Sequence, residues 1–154
     1  MSGLDPGVRL GVDVGEARVG VAACDPEGIL ATPLATLTRD RSAAPDAVPS
    51  DMAELARLVA EHDAVAVVIG LPVSLSGREG PAAAMARDYA RRLAAVLAPV
   101  PVILSDERMS TVLATRRLSE RGVRGKRRRQ VVDQAAAVEI LQGWLDTQRR
   151  RASP

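Results

Sequence analysis

Three separate segments of the sequence each place a carboxylate at the rim of an apolar element. Asp13 ends the strand-like run VRLGVD, Asp106 and Glu107 follow VPVIL, and Asp133 opens a helical stripe that is otherwise apolar. Carboxylates placed together repel, and they cannot all stay ionised cheaply without a cation. Mg²⁺ is commonly held by a few carboxylates and substrate phosphates. Two such ions about 4 Å apart can activate water and stabilise the leaving oxygen in phosphodiester cleavage. The pattern therefore predicts a two-metal site for Mg²⁺ or Mn²⁺.

Each of these acids also has an ordinary structural explanation. Asp13 could cap the loop after its strand, and Asp133 could meet the positive end of a helix dipole. Against the second explanation, Asp133 would lie on the buried side of its helix, where an unpaired carboxylate is costly. Alternation lets only one of Asp106 and Glu107 face the site if the chain is extended there, and the residues alone leave that choice open. A zinc site is disfavoured because the sequence has no cluster of Cys and His.

A basic run lies directly before Asp133. From Arg116 to Arg129, eight of fourteen residues are Arg or Lys. A solvated linker would explain the run, but Arg and Lys that neutralise phosphates are also the main source of nucleic-acid affinity. The two aromatic residues, Tyr89 and Trp144, fall on apolar helix faces, so base stacking is disfavoured. The composition favours recognition of the backbone and shape of a structured nucleic acid.

The elements that must position these residues follow from the apolar patterns. Three strands come first, with Pro33 marking an edge or a bulge in the third. The predicted elements in chain order are strands over 8–13, 18–24 and 29–37, a loop over 38–50, a helix over 51–62, a strand over 65–71, a helix over 81–97, a strand from 100 that ends at Asp106, and helices over 110–120 and 129–148. This order predicts an α/β fold in which helices cover a mixed five-stranded sheet.

Length and composition predict one domain over residues 1–148, followed by a disordered basic tail over 149–154. No apolar run reaches the roughly 18 residues that a membrane span needs, and the N-terminus does not resemble a signal peptide. The single cysteine, Cys24, excludes an internal disulfide and suits a reducing compartment. We therefore expect a cytoplasmic protein.

Four stretches of the sequence resemble, in order, the motifs of the YqgF/RuvX family. They are GVDVGEARVGVA, VVIGLPVSLSG, SDERMST and DQAAAVEILQGWLD, and the resemblance extends from about residue 8 to 146. It implies a ribonuclease-H-like fold (β-β-β-α-β-α-β-α) related to RuvC-type resolvases, and a metal-dependent nuclease. Position by position, it implies that Asp13, Glu107 and Asp133 are the catalytic and metal-binding acids. The resemblance thus favours Glu107 over Asp106.

The family is associated with maturation of the 5′ end of pre-16S ribosomal RNA, and some members are discussed as Holliday-junction resolvases. The implied partners are pre-rRNA or branched DNA and the ribosome, and a symmetric junction would call for a homodimer. A nucleic-acid-binding assembly factor without cleavage is the alternative. A sugar kinase, which GVDVG also suggests, would need a duplicated fold and more than twice this length. Residues expected to position phosphates are Arg18, Arg108, Ser110, Thr111, Arg124, Lys126, Arg127, Arg128 and Arg129, although Ser110 and Thr111 would serve equally well as a helix N-cap.

Overall fold

The structure, a computed structural model, describes residues 4–108 and 126–152. The elements within these ranges are, in chain order, β1 (Arg9–Val14), β2 (Arg18–Cys24), β3 (Ala31–Thr38), α1 (Ser50–Glu61), β4 (Ala66–Val73), α2 (Pro81–Leu97), β5 (Val102–Arg108) and α3 (Lys126–Ala152). The predicted helix over 110–120 lies outside the described residues. None of the described helices is long and apolar enough to cross a membrane.

The five strands form one mixed sheet in the order β3-β2-β1-β4-β5. β1, β2 and β3 pair antiparallel, as consecutive strands joined by short turns can. Pro33 lies on the edge strand β3 next to Leu34, the extra residue at which the register with β2 shifts. β4 pairs parallel with both β1 and β5, and α2 supplies the crossover between β4 and β5. The predicted mixed five-stranded α/β fold is therefore confirmed.

The alternation of side chains along β1 separates the two faces of the sheet. Leu10 and Val12 are fully buried in the core formed with α1 and α2. Gly11 faces the other side, where a Cβ would lie 2.6 Å from the Cβ of Leu141 in α3. The interior strand β4 is apolar and almost entirely buried because helices cover both of its faces. The face under α3 is the one that carries Asp13.

Three predicted boundaries are wrong. β5 does not end at Asp106, because its backbone continues to pair with β4 as far as Arg108, and that pairing does not depend on the charge of the side chains. α1 spans Ser50–Glu61 and so lies one residue earlier than the predicted 51–62, and no side chain caps its N-terminus. α3 extends to Ala152, so residues 149–152 are helical and do not belong to a disordered tail.

The Pro- and Ala-rich segment after β3 is held by polar contacts. The side chain of Asp40 accepts a hydrogen bond from the backbone N–H of Ser50, at 3.0 Å. Asp51 is buried and accepts from the backbone N–H of Asp40 (3.0 Å) and from the hydroxyl of Tyr89 in α2 (2.6 Å). Arg92 of α2 donates to carbonyl oxygens within residues 44–47. The segment is therefore tied to both helices on its face of the sheet.

Candidate functional site

Asp13 lies near the end of β1, opposite Gly20 of β2. Its side chain is buried on the face that α3 covers, with 6% of the residue exposed. The position follows from alternation, since Gly11 on the same face also lies against α3. The strand thus delivers a carboxylate to the carboxyl edge of the parallel part of the sheet.

Glu107 reaches the same face from β5. The hydroxyl of Ser105, two residues earlier and on the same side of the strand, donates a 3.2 Å hydrogen bond to Glu107 Oε1. A Cβ built on Gly70 of β4 would lie 3.4 Å from Glu107 Cγ, so the glutamate extends over that glycine. Asp106, which points the other way, is exposed. The structure therefore brings Glu107, rather than Asp106, to the side of the sheet where Asp13 lies.

The electrostatic state of Glu107 reflects this crowding. Burial raises the pKa of its carboxyl group to about 7, and the negative charges of Asp106, Glu139 and Asp13 contribute further, while the hydrogen bond from Ser105 opposes the rise. Asp13 and Glu107 are therefore close enough to repel each other. A cation placed between them would relieve that repulsion.

Asp133 lies in α3 and is 2% exposed. Arg18, the first residue of β2, donates from Nε to Asp133 Oδ2 at 2.6 Å. The helix comes close to the sheet at this point, because a Cβ on Gly20 would lie 2.1 Å from the carbonyl oxygen of Asp133. Asp133 is thus placed beside the strand pair that carries Asp13, and a guanidinium is bonded to it.

The described residues contain no group of three or more His, Cys, Asp or Glu arranged to hold a metal ion. Asp13 and Glu107 act on each other, whereas Asp133 is bonded to Arg18. Carboxylate oxygens are nevertheless the donors that Mg²⁺ and Mn²⁺ prefer, and two repelling acids gain from a shared cation. The donor chemistry of Asp13 and Glu107 therefore fits a hard divalent ion.

The residues expected to position phosphates are only partly described. Arg18 contacts Asp133, as given above. Arg108 ends β5 and residues 126–129 form the first turn of α3, but their side chains are not described. Ser110, Thr111 and Arg124 lie outside the described residues.

Two residues near the acids did not emerge from the sequence patterns. Ser105 is bonded to Glu107, and its spacing of two along a strand could have indicated this. Glu139 of α3 acts on the charge of Glu107, yet it is exposed and lies off the apolar stripe of its helix. A contact of that kind depends on how α3 crosses the sheet.

Comparison with known proteins identifies relatives over nearly the whole chain. The model of the family described as "RuvX: Holliday junction resolvase" matches residues 7–147. A protein of Rhodococcus erythropolis is 49% identical over 97% of this chain and 85% of its own length. A protein of Streptomyces coelicolor is 53% identical over 96% of this chain and 85% of its own length. Both carry the name "Putative pre-16S rRNA nuclease". The family and the names of these relatives support a nuclease, a hydrolase that acts on phosphodiester bonds.

Among solved structures, Thermus thermophilus RuvC in complex with a Holliday junction substrate resembles the chain with a TM-score of 0.50. The alignment covers 96% of this chain and 99% of RuvC, at 16% identity. This likeness concerns the fold and confirms the expected ribonuclease-H-like architecture. The match of the family model over residues 7–147, together with relatives about half identical in sequence, shows that the chain belongs to the RuvX family.

Proposed function

We propose that this chain is a divalent-metal-dependent nuclease that matures the 5′ end of pre-16S ribosomal RNA in the cytoplasm. The observation that carries the proposal is that Asp13 and Glu107 share one face at the same edge of the sheet and are close enough to repel. The names of the relatives support the choice of RNA substrate.

Asp13 and Glu107 would hold Mg²⁺ or Mn²⁺, with Asp133 as the third acid of the centre. The bound ion, or a pair of ions, would supply activation of a water and stabilisation of the leaving oxygen. The protein's own part is to keep two carboxylates, the buried Asp13 and the half-buried Glu107, on paired strands, so that they are already positioned before substrate binds. Arg108 and the basic residues at 124–129 would neutralise substrate phosphates, with Ser110 and Thr111 nearby in sequence.

Resolution of branched DNA is the second candidate function. The description of the matching family model names Holliday junctions, and the structural neighbour RuvC was solved with one. Cleavage of a symmetric junction would require two active sites, and therefore a homodimer. The same acids would serve either substrate, so the substrate must be established by assay.

The test is a cleavage assay in Mg²⁺ and in Mn²⁺ with two substrates. One is an RNA that carries the 5′ precursor end of small-subunit ribosomal RNA, and the other is a four-way DNA junction. Wild type is compared with Asp13→Asn and Glu107→Gln. Each substitution keeps the size of the side chain and removes a charge that an ion would need, so each should reduce cleavage by at least about 100-fold.

Asp106→Asn is the matched control, since it removes the neighbouring acid of the same strand from the opposite, exposed side. It should retain most of the activity. Cleavage of the RNA that requires Asp13 and Glu107 would support the proposal, and cleavage of the junction alone would favour the second candidate. Binding to either substrate without cleavage in both metals would contradict the nuclease and indicate an assembly factor.

A further inference from the structure

Arg18 is the counter-ion of Asp133 in this structure. Its Nε lies 2.6 Å from Asp133 Oδ2, and the side chains are 22% and 3% exposed, respectively. The two residues are 115 positions apart in the sequence, so the pair forms only when α3 packs on β2. Removing either partner would leave a charge in a poorly solvated place. Asp133 is therefore neutralised by the protein itself.

The other two acids are on strands, and Asp133 is on a helix. Asp13 lies near the end of β1 and Glu107 on β5, whereas Asp133 directs one oxygen to the guanidinium of Arg18. A divalent ion that joined Asp133 to the other two acids would lie next to the positive charge of Arg18. The ion could bind Oδ2, the oxygen to which Arg18 is bonded, and would then have to replace Arg18 there. Otherwise it would bind the other oxygen, which would place two cations on one carboxylate. Both arrangements oppose simultaneous binding.

We propose that Arg18 and the divalent cation compete for Asp133, so that Arg18 is a built-in counter-ion which the metal displaces. This inference rests on the proposed metal-dependent function. Arg18 is the more exposed member of the pair and begins β2 directly after the exposed residues Glu16 and Ala17, so its side chain has a route away from the helix. Once displaced, the guanidinium is available at the edge of the site for a substrate phosphate.

The test measures binding of Mn²⁺ alone to the full chain by isothermal titration calorimetry, without nucleic acid. Arg18→Gln removes the competitor, so its affinity for Mn²⁺ should exceed that of wild type by about 10-fold, within the usual range of coupling between two ligands. Arg18→Lys keeps the charge but not the planar guanidinium, and its affinity should lie between the two.

Arg41→Gln is the matched control. Arg41 lies in the adjacent loop and donates from Nη1 to the carbonyl oxygen of Glu16. Arg41→Gln therefore also removes one positive charge, but it leaves the contact between Arg18 and Asp133 unchanged. Its affinity for Mn²⁺ should stay within about 2-fold of wild type, because an exposed charge is screened. An equal gain in Arg41→Gln would overturn the proposal, since it would trace the effect to net charge.

A double-mutant cycle tests whether the competition acts through Asp133. In the background of Asp133→Asn, the change Arg18→Gln should no longer tighten Mn²⁺ binding. If Arg18→Gln still tightened Mn²⁺ binding in the Asp133→Asn background, the proposal would be overturned. Unchanged or weaker Mn²⁺ binding by the single variant Arg18→Gln would also overturn it, and would indicate that Arg18 positions Asp133. Circular dichroism and a rise of Tm on addition of Mn²⁺ establish that each variant is folded and binds.

The result is separable from the proposed nuclease activity because the readout is metal affinity. Tighter binding in Arg18→Gln by a chain that cleaves nothing would support the competition and contradict the nuclease. A wild-type chain that cleaves RNA, with no change in affinity on losing Arg18, would contradict the competition alone. Failure of both wild type and Arg18→Gln to bind Mn²⁺ would contradict both.

Discussion

The carbonyl oxygen of Asp133 lies 2.1 Å from the point that a Cβ on Gly20 would occupy. No side chain fits in that space, and Gly20 is also the residue paired with Asp13 across the β1–β2 ladder. The glycine therefore permits the close approach of α3 that brings Asp133 beside the strand of Asp13. One residue without a side chain links packing of the helix to assembly of the acidic site.

Gly20→Ala should destabilise the fold by about 3 kcal/mol, because the new methyl group must push α3 away from the sheet. The displacement should also separate Arg18 from Asp133. Urea unfolding measures the loss of stability, and a fall in cleavage activity at temperatures where the variant is folded would show that the site itself has moved.

Gly143→Ala is the control on the same helix. Nothing lies within 4 Å of a Cβ at Gly143, and alanine is the better helix former there. This variant should gain up to about 1 kcal/mol in the free energy of unfolding. A Gly20→Ala variant as stable as wild type would show that α3 is not held against β2 at this point.

The raised pKa of Glu107 makes the stability of the fold depend on pH. The carboxyl group binds its proton more tightly in the folded chain, where its pKa is about 7, than in the unfolded chain, near 4.5. The stabilisation of the fold by the protonated Glu107 carboxyl group is therefore fully present below about pH 4.5 and is lost as the pH rises through 7. Allowing for its partial exposure, the loss should reach about 2 kcal/mol by pH 8.

Glu107→Gln cannot ionise and should lack this part of the pH dependence. Urea unfolding in EDTA from pH 4.5 to pH 8 should show Glu107→Gln gaining about 2 kcal/mol relative to wild type across that range. Asp106→Asn removes only one of the charges that raise the pKa, so it should gain less. A constant difference between wild type and Glu107→Gln at every pH would contradict the crowded position of Glu107.

Tyr89→Phe should loosen the loop after β3. The change removes the hydroxyl that donates to buried Asp51, and an acceptor left without its donor inside the protein costs about 1–3 kcal/mol. Because Asp51 also holds the backbone of Asp40, amide hydrogen exchange in residues 39–48 should become faster. Burial and the adjacent Asp51 raise the pKa of Tyr89, so the hydroxyl remains a donor throughout the usual pH range.

Arg57→Gln provides the contrast on the same helix as Asp51. Arg57 forms ion pairs with Glu54 and Glu61, all on the solvent side of α1. Such exposed pairs contribute about 0.5 kcal/mol or less. If Tyr89→Phe and Arg57→Gln lowered the free energy of unfolding equally, the buried hydrogen bond from Tyr89 to Asp51 would be no more stabilising than the exposed ion pairs, contrary to this prediction.

Gln142→Ala should lower the free energy of unfolding by about 1–2 kcal/mol. The side-chain amide of Gln142 joins α3 to the start of β3 through both its oxygen and its nitrogen. Its Oε1 accepts from the N–H of Ala31 and its Nε2 donates to the carbonyl of Ile29, both at 2.8 Å. Gln142→Glu keeps the acceptor but sets a charge against a carbonyl, so it should be at least as costly. Urea unfolding of both variants measures this, and a neutral Gln142→Glu would show that the donor half of the contact is dispensable.

Local patterns in the sequence were enough to predict several elements. The bounds of β2 and α2 agree with prediction, since a β-branched run between turn residues and a proline at the first helical position are signals carried by adjacent residues. The apolar run that ends at Asp13 also predicted β1 and the position of Asp13 near the end of that strand. The catalytic roles of the acids remain predictions.

Contacts between distant segments could be seen only in the folded chain. β5 continues through Asp106 and Glu107 because β4 offers backbone partners for three more residues, which no property of those side chains reveals. Arg18 looked like a phosphate ligand in the sequence, yet in the fold it is bonded to Asp133. A carboxylate pairs with whichever cation is nearest in space, and that distance depends on how closely α3 packs over Gly20. The sequence by itself therefore determined which strands and helices carry the acids, and the packing of α3 on the sheet decided which charges meet.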